Sequence, residues 1–311
     1  MHPPLSLIFF FVTGGTSVGL FTLIYMLDIL SSDISKEILF MGSFVSLCLI
    51  AVGAVGASFH LGHKLRAWKA VRRFRTSWLS REAIFSGIYG ALLLLYTLLL
   101  HNSKNSLYIG ALVCLFGLLS AFSTAMIYAS NRFVLEWHTP VTVLYFLIMY
   151  LMLGAGALNF LLSVYNPAYG GIFKILLVVL VLAFLLRLYF NIRQPYIKRP
   201  SLAEALNLPF NKPVRLVDKG TTTENYCTKE FFYRKGKERL SVFLPLAYLL
   251  TFFIPTAFSL YFLLMKENQI LVSGVVFFSI LSGSILERWC FFVEGNHVQN
   301  LFYGLYPSEK S

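Results

Sequence analysis

Charge is what this chain has least of. Only 13% of its 311 residues are Asp, Glu, Lys or Arg, about half the share in a soluble domain. A water-facing globular surface cannot be built from so few. Acid is scarcer than base, with 14 Asp and Glu against 26 Lys and Arg and a formal charge of +12. Cysteine is also sparse. The four are Cys48, Cys114, Cys227 and Cys290, and no two make a CxxC pair, so no iron–sulfur or zinc site is expected on this chain itself. Three of them lie in apolar runs and are expected to be small buried hydrophobes; Cys227 lies in a hydrophilic stretch and is expected to be a free thiol. The six histidines (His2, His60, His63, His101, His138 and His297) all fall at the ends of apolar runs, in loops or near the start. Transmembrane haem needs histidines on facing helices at membrane depth, so no haem is expected. There is no Gly-x-Ser-x-Gly elbow, and no nucleic-acid-binding motif accompanies the basic charge. His60-Leu61-Gly62-His63 looks like half of a di-iron box, but the membrane enzymes that use such boxes need several.

What the chain does have is apolar length. It is 57% hydrophobic with a mean hydropathy of +0.71. A membrane-crossing helix takes about 20 mostly apolar residues. Eight such runs occur, near 5–28, 38–59, 83–101, 107–130, 140–163, 172–190, 240–265 and 270–292. The first is too long for a signal-peptide core and has no basic leader or cleavage site, so it is expected to remain as a span. Runs such as Ile175–Leu186, ILLVVLVLAFLL, do not alternate as barrel strands do. The expected fold is all-α, polytopic, with eight transmembrane helices. Eight spans put both termini on one side. Lys36, Lys104, Lys174 and Lys266 fall on the other side, and the remaining 22 of the 26 Lys and Arg fall with the termini. The positive-inside rule then places both termini and the long loops in the cytoplasm.

One stretch carries most of the candidate chemistry, Ala57 to Gly87. Between spans 2 and 3 it holds Lys64, Arg66, Lys69, Arg72, Arg73, Arg75 and Arg81, with no acid before Glu82. His60 and Glu82 flank this basic loop at the membrane rim, as a lipid-soluble, proton-coupled ligand would require. Two plainer readings stand beside that one. Glu82 can be a first-turn carboxylate favoured by the helix dipole, with Ser80 as N-cap, and His60 can cap the last turn of span 2. Arg81 is expected next to Glu82 as a counter-charge. Ser86 and Tyr89 follow Glu82 at i+4 and i+7 and share its helix face. Residues 63–78 suggest a short amphipathic helix, with Leu65, Trp68, Val71, Phe74 and Trp78 at spacings of three and four. Its basic face can lie on anionic lipid headgroups or dock an acidic protein. Pro140 suits the first turn of span 5. Phe231, Phe232 and Tyr233 of the 191–239 loop are expected to pack on another protein. Arg132 and Arg288 are expected to snorkel, and Glu136, His138, Glu294 and His297 complete a rim of ionisable groups.

The run SFHLGHKLRAWKAVRRFRTSWLSRE, with TAMIYAS before EWHTP, TENYCTKEFFYRKGKERL, ERWCFFVEGNHVQNLFYG and the opening MHPPLSLIFF, resembles the membrane-anchor subunits of dimethyl-sulfoxide-reductase-type molybdenum enzymes, the DmsC family. Within it the chain looks most similar to anchors of cytoplasm-facing sulfite:quinone oxidoreductases. The resemblance implies two four-helix bundles, here residues 1–130 and 131–311, and a site for ubiquinone or menaquinone. It implies a partner subunit carrying iron–sulfur clusters and a catalytic subunit carrying molybdopterin. Glu82 in Ser80-Arg81-Glu82 and His60 in His-Leu-Gly then become the proton-exchanging pair. Arg66, Trp78, Arg81, Ser86 and Tyr89 complete the expected quinone pocket between spans 2 and 3. Lys64, Lys69, Arg72, Arg73, Arg75, Arg234 and Lys235 become the docking surface for the iron–sulfur subunit. A second expectation is an anchor or proton-conducting subunit with no quinone site.

Overall fold

The computed structural model describes residues 3–30, 34–59, 69, 71–102, 104, 107–167, 171–208, 214, 217 and 226–305. His60, Lys64 and Arg66, and with them most of the expected amphipathic segment, lie outside the described residues. So does the side chain of Cys227. Cys114 and Cys290 are buried as expected, but Cys48 is exposed, because it stands on a face of its helix, Lys36–Ser58, that no other described helix covers. What is described is helical, joined by turns and one isolated bridge between Val134 and His297. Eight helical paths are long and apolar enough to cross a membrane. Seven follow single helices: α1 (Leu5–Leu30), α2 (Lys36–Ser58), α3 (Trp78–His101), α4 (Leu107–Ala129), α5 (Pro140–Tyr165), α6 (Phe173–Arg193) and α11 (Gln269–Glu294). Between α6 and the seventh span come two short helices, α7 (Leu202–Ala205) and α8 (Tyr226–Phe231).

The seventh span is broken. α9 (Arg234–Tyr248) runs into a π-helical segment, Leu249–Phe253, and then α10 (Ile254–Met265). Pro255 explains the break, because it has no N–H to return to the preceding turn. The carbonyl of Leu250, five residues earlier, instead accepts from the Ser279 hydroxyl of α11 at 2.8 Å. In lipid, no water could take that place. α11 can come so close because residue 283 is glycine: a Cβ there would sit 2.5 Å from the backbone nitrogen of Thr251.

α1 to α4 pack in a ring, each against its sequence neighbour and α1 against α4; α5, α6, α10 and α11 form a second. The rings meet where α1 lies on α5, with α4 on α5 and α1 on α11 beside it. The α1–α5 contact is backbone on backbone. A Cβ on Gly19 would collide with the carbonyl of Tyr150, and one on Gly154 with the backbone of Gly19. Without a hydrophobic drive between helices in lipid, such small-residue contacts supply the packing.

Two local expectations are corrected. α3 begins at Trp78, and its N-cap is Ser77, whose hydroxyl accepts from the Ser80 backbone at 3.4 Å. Ser80 is therefore inside the helix, and Glu82 lies beyond the first turn, where the dipole favours a carboxylate most. Trp78 does not end an amphipathic helix: residues 71–73 make one 3₁₀ turn, residues 74–76 a bend, and Trp78 opens α3. Arg81 fastens that bend to the helix. Its Nε donates to the Phe74 carbonyl at 2.9 Å and its Nη2 to that of Arg75 at 2.8 Å. Pro140 does take the first position of α5, after an N-cap at Thr139.

Candidate functional site

A cavity of about 240 Å³ lies where the two rings meet. Leu7, Phe10 and Phe11 of α1, Leu79 and Glu82 of α3, and Thr124, Ile127 and Tyr128 of α4 line one part of it. Phe146 of α5 and Arg288, Phe291 and Phe292 of α11 line the rest. Every one of these comes from the part of its helix nearest the end that bears the chain termini and the basic loop. Glu82 is the fifth residue of α3, so at about 1.5 Å per residue it lies about 6 Å along the helix from its start. The wall is apolar and aromatic except for Glu82, Thr124, the Tyr128 hydroxyl and Arg288.

Glu82 is buried. Its Oε1 accepts from the Thr124 hydroxyl at 2.5 Å, a hydroxyl that also lies 3.1 Å from the Ser120 carbonyl one turn earlier in α4. Among the described residues none of the ion pairs involves it. It is a carboxylate bonded to a neutral hydroxyl and facing a cavity.

Arg288 is 1% exposed and does not snorkel, correcting the sequence expectation. Its Nε donates to Glu287 Oε2 at 2.6 Å. The other carboxylate oxygen of Glu287 lies 3.2 Å from Arg187 Nε, and Arg187 Nη2 donates to both oxygens of Glu294, at 2.8 and 2.9 Å. Two cations and two anions thus neutralise one another inside the second ring. The rings of Phe11, Tyr145, Phe146 and Phe291 surround the Arg288 guanidinium at 4.5–4.9 Å, the range of cation–π attraction.

The remaining candidates are placed as follows. Ser86 shares a 2.7 Å hydrogen bond with Ser120 of α4, and Tyr89 shares one of 2.9 Å with Ser17 of α1. Both continue the face of Glu82, as i+4 and i+7 must, but they hold α3 to α4 and α1 and do not line the cavity. Trp78 lies edge-on to Phe122 and under the Arg81 guanidinium, 4.0 Å from its ring centre. Arg81 is therefore turned to the loop, not to Glu82. No described residue of α2 lines the cavity, which opens off α1, α3 and α4 and not between spans 2 and 3. Lys69, Arg72, Arg73, Arg75, Arg234 and Lys235 are exposed at the same end of the bundle.

Glu136, between α4 and α5, ties the segment after α11 to the loop after α6. It accepts from the backbone and side chain of Asn296 at 3.2 and 2.8 Å and pairs with Arg199 at 3.4 Å. His297 caps the 3₁₀ turn Val298–Tyr303, its Nδ1 accepting from Gln299 N at 3.2 Å. It is stacked between Phe133 and Phe231, with centroids at 5.7 and 4.3 Å, and burial pushes its pKa below the usual histidine value. His138 Nδ1 lies 2.7 Å from the Ala129 carbonyl. The aromatic trio of the long loop packs on this chain itself, which corrects the expectation of a protein partner for it. Phe231 covers His297, Phe232 lies 5.2 Å from the Lys237 ammonium, and Tyr233 meets Trp289.

The comparisons with known proteins bear on the whole of this architecture. Residues 1–305 match the family described as DMSO reductase anchor subunit (DmsC). The chain belongs to the DmsC family. It is also 32% identical to one subunit of the sulfite dehydrogenase of Allochromatium vinosum, over 97% of this chain and 99% of that one. As a DmsC protein it is a multi-pass membrane anchor within a molybdoenzyme complex of several subunits.

Sequence reasoning reached Glu82 but missed Thr124 and Arg288 as its companions on the cavity wall. The signal for Arg288 was present: Glu287-Arg288 is a charged pair inside an otherwise apolar run, and such residues point to function by default. For Thr124, 42 residues from Glu82, a single sequence offers no signal.

Proposed function

We propose that this DmsC protein is the quinone-reactive subunit of its complex, with the quinone ring bound in the cavity beside Glu82. The observation that carries the reading is a buried carboxylate, outside any ion pair among the described residues, facing an apolar cavity of ring size. A cavity of about 150 Å³ holds benzene, so about 240 Å³ suits one substituted ring. Aromatic walls supply the stacking surface, and a few placed polar groups set orientation, as in most small-molecule sites. Reduction of a quinone takes two electrons and two protons, and oxidation of the quinol returns them. Glu82 carries the protons singly between a ring oxygen and water at the near rim; a carboxylate locked to an arginine, held in its charged form, could not take them up so readily. The electrons pass to or from the iron–sulfur clusters of a partner subunit docked on the exposed Lys69, Arg72, Arg73, Arg75, Arg234 and Lys235. His60, Lys64 and Arg66, on the stretch between α2 and α3, join the reading from sequence alone.

The name of the Allochromatium relative favours sulfite as the donor. Sulfite and water then yield sulfate, two protons and two electrons at the molybdopterin subunit, and the electrons reduce ubiquinone or menaquinone here. We place the termini and the basic loop in the cytoplasm from the distribution of Lys and Arg. Two of those residues, Arg187 and Arg288, are buried and do not bear on the choice; the rest leave it unchanged. The deciding experiment replaces Glu82 by Gln in the assembled complex and compares turnover with a quinone and with a soluble electron carrier. Selective loss with quinone supports the reading. Quinone turnover that survives the substitution refutes the role of Glu82 and puts the proton-exchanging group elsewhere, with Glu136, His138 or His297 next in line.

A further inference from the structure

Arg288 has a pair of donors for which the described residues provide no acceptor. Its Nε is committed to Glu287, but Nη1 and Nη2 are buried and have no hydrogen-bond partner among the described residues. The four rings around it attract the charge, yet a ring face does not accept N–H groups as an oxygen does. Buried donors are paired in the great majority of proteins, and a persistent exception at a cavity points to something that enters it. Arg288 lines the same cavity as Glu82, from a different ring of helices.

We propose that Arg288 donates a hydrogen bond to one oxygen of the bound quinone, while the other oxygen faces Glu82; this rests on the quinone reading above. The assignment fits the ligand in three respects. A quinone has two oxygens across one flat ring, and the wall has two charged groups, Glu82 and Arg288, from separate helices. The ligand is an acceptor where Arg288 is short of one, and aromatic where Phe11, Phe146 and Phe291 are. The Arg187–Glu287–Glu294 network holds the guanidinium in place and balances its charge, so binding requires no new counter-ion. Arg288 is therefore a binding residue, and Glu287 positions it. Because it holds one oxygen, its loss weakens binding more than it slows proton transfer at the other.

The test uses the assembled complex and a short-chain quinone analogue. Arg288→Lys keeps the charge but loses the planar fork. The KM for the quinone is expected to rise about 10- to 100-fold, the size of a lost charge-assisted hydrogen bond, with turnover on a soluble carrier unchanged. Glu82→Gln should instead lower kcat with little change in KM. The second measurement needs no variant: an azidoquinone activated by light on the wild-type complex should label α11 around residues 288–292 as well as α3. A KM within twofold of wild type in Arg288→Lys overturns the role of Arg288, as does label on α3 alone, and either leaves the Glu82 reading standing. Label on neither helix overturns both. If Arg288→Lys does not assemble, the labelling pattern decides.

Discussion

Replacing Glu82 by Gln separates chemistry from architecture because the two effects differ in size. Gln keeps the length and one carbonyl oxygen, so Thr124 can still donate to it as it does at 2.5 Å. What goes is a buried charge without an ionic partner, and removing such a charge costs little or nothing. A dipole role would be worth about 0.3–1 kcal/mol in the first turn of a helix, and Glu82 lies beyond that turn. The structural change is therefore about 1 kcal/mol or less in either direction. Loss of a proton-transferring group lowers turnover by about 10²–10⁴, or about 2.7–5.4 kcal/mol in barrier height. The catalytic effect thus exceeds the structural one several-fold. The assay measures complex recovered from membranes, turnover with a soluble electron carrier, and turnover with a short-chain quinone. Recovery and carrier turnover should match wild type while quinone turnover collapses. Quinone turnover within about twofold of wild type would refute the role of Glu82, and failed assembly would make Glu82 a structural residue.

Gly154→Ala should separate α1 from α5, since the added Cβ meets the backbone of Gly19, which cannot rotate away. A loss of about 1–3 kcal/mol is expected, seen as thermal inactivation at lower temperature, and unaltered inactivation would show that the two helices part freely. Reversing Arg72, Arg73 and Arg75 to Glu should release the soluble subunits from washed membranes, because an acidic partner docked on this exposed basic surface, as proposed, would then be repelled; full retention would place docking elsewhere. Reporters fused at Lys104 and at the C-terminus should report opposite sides of the membrane, with the C-terminus cytoplasmic.

The spans could be read from sequence because each is longer than the bilayer requires and almost free of charge. Their ends were harder. α3 starts five residues before the apolar run near 83 because Ser80-Arg81-Glu82 lowers hydropathy without breaking the helix; the hydroxyl that stops it belongs to Ser77. The break in the seventh span was not anticipated: Pro245 and Pro255 lie within it, but the π segment between α9 and α10 depends on Ser279 reaching Leu250 from another helix. The loop aromatics misled for a similar reason. Phe231 to Tyr233 would be wasted in water, but their cover is His297, Lys237 and Trp289 of this same chain.

The site was half legible, and the missing half shows how the charges are divided. Helical spacing put Ser86 and Tyr89 on the face of Glu82, but spacing says nothing about which neighbour a face meets. Those two residues met α4 and α1 as fasteners, and the cavity formed one turn nearer the rim, from five helices at once. Arg288 was expected to reach water because a lone arginine at a span end does so. It stays inside because Glu287, the residue before it, turns back to bind it, although adjacent helix positions ordinarily face apart. Arg187 and Glu294 complete a cluster of zero net charge. Fixed cations in the second ring are thereby matched by fixed anions of the same ring, and neither of the two is left to hold Glu82. The partner of Glu82 among the described residues is a hydroxyl that also has the Ser120 carbonyl within reach. Thr124 can turn to that carbonyl when Glu82 gives up its bond, so the carboxyl group can gain or lose a proton without stranding a buried donor. A carboxylate so placed answers to what enters the cavity, whereas Glu287 and Glu294 answer to their arginines.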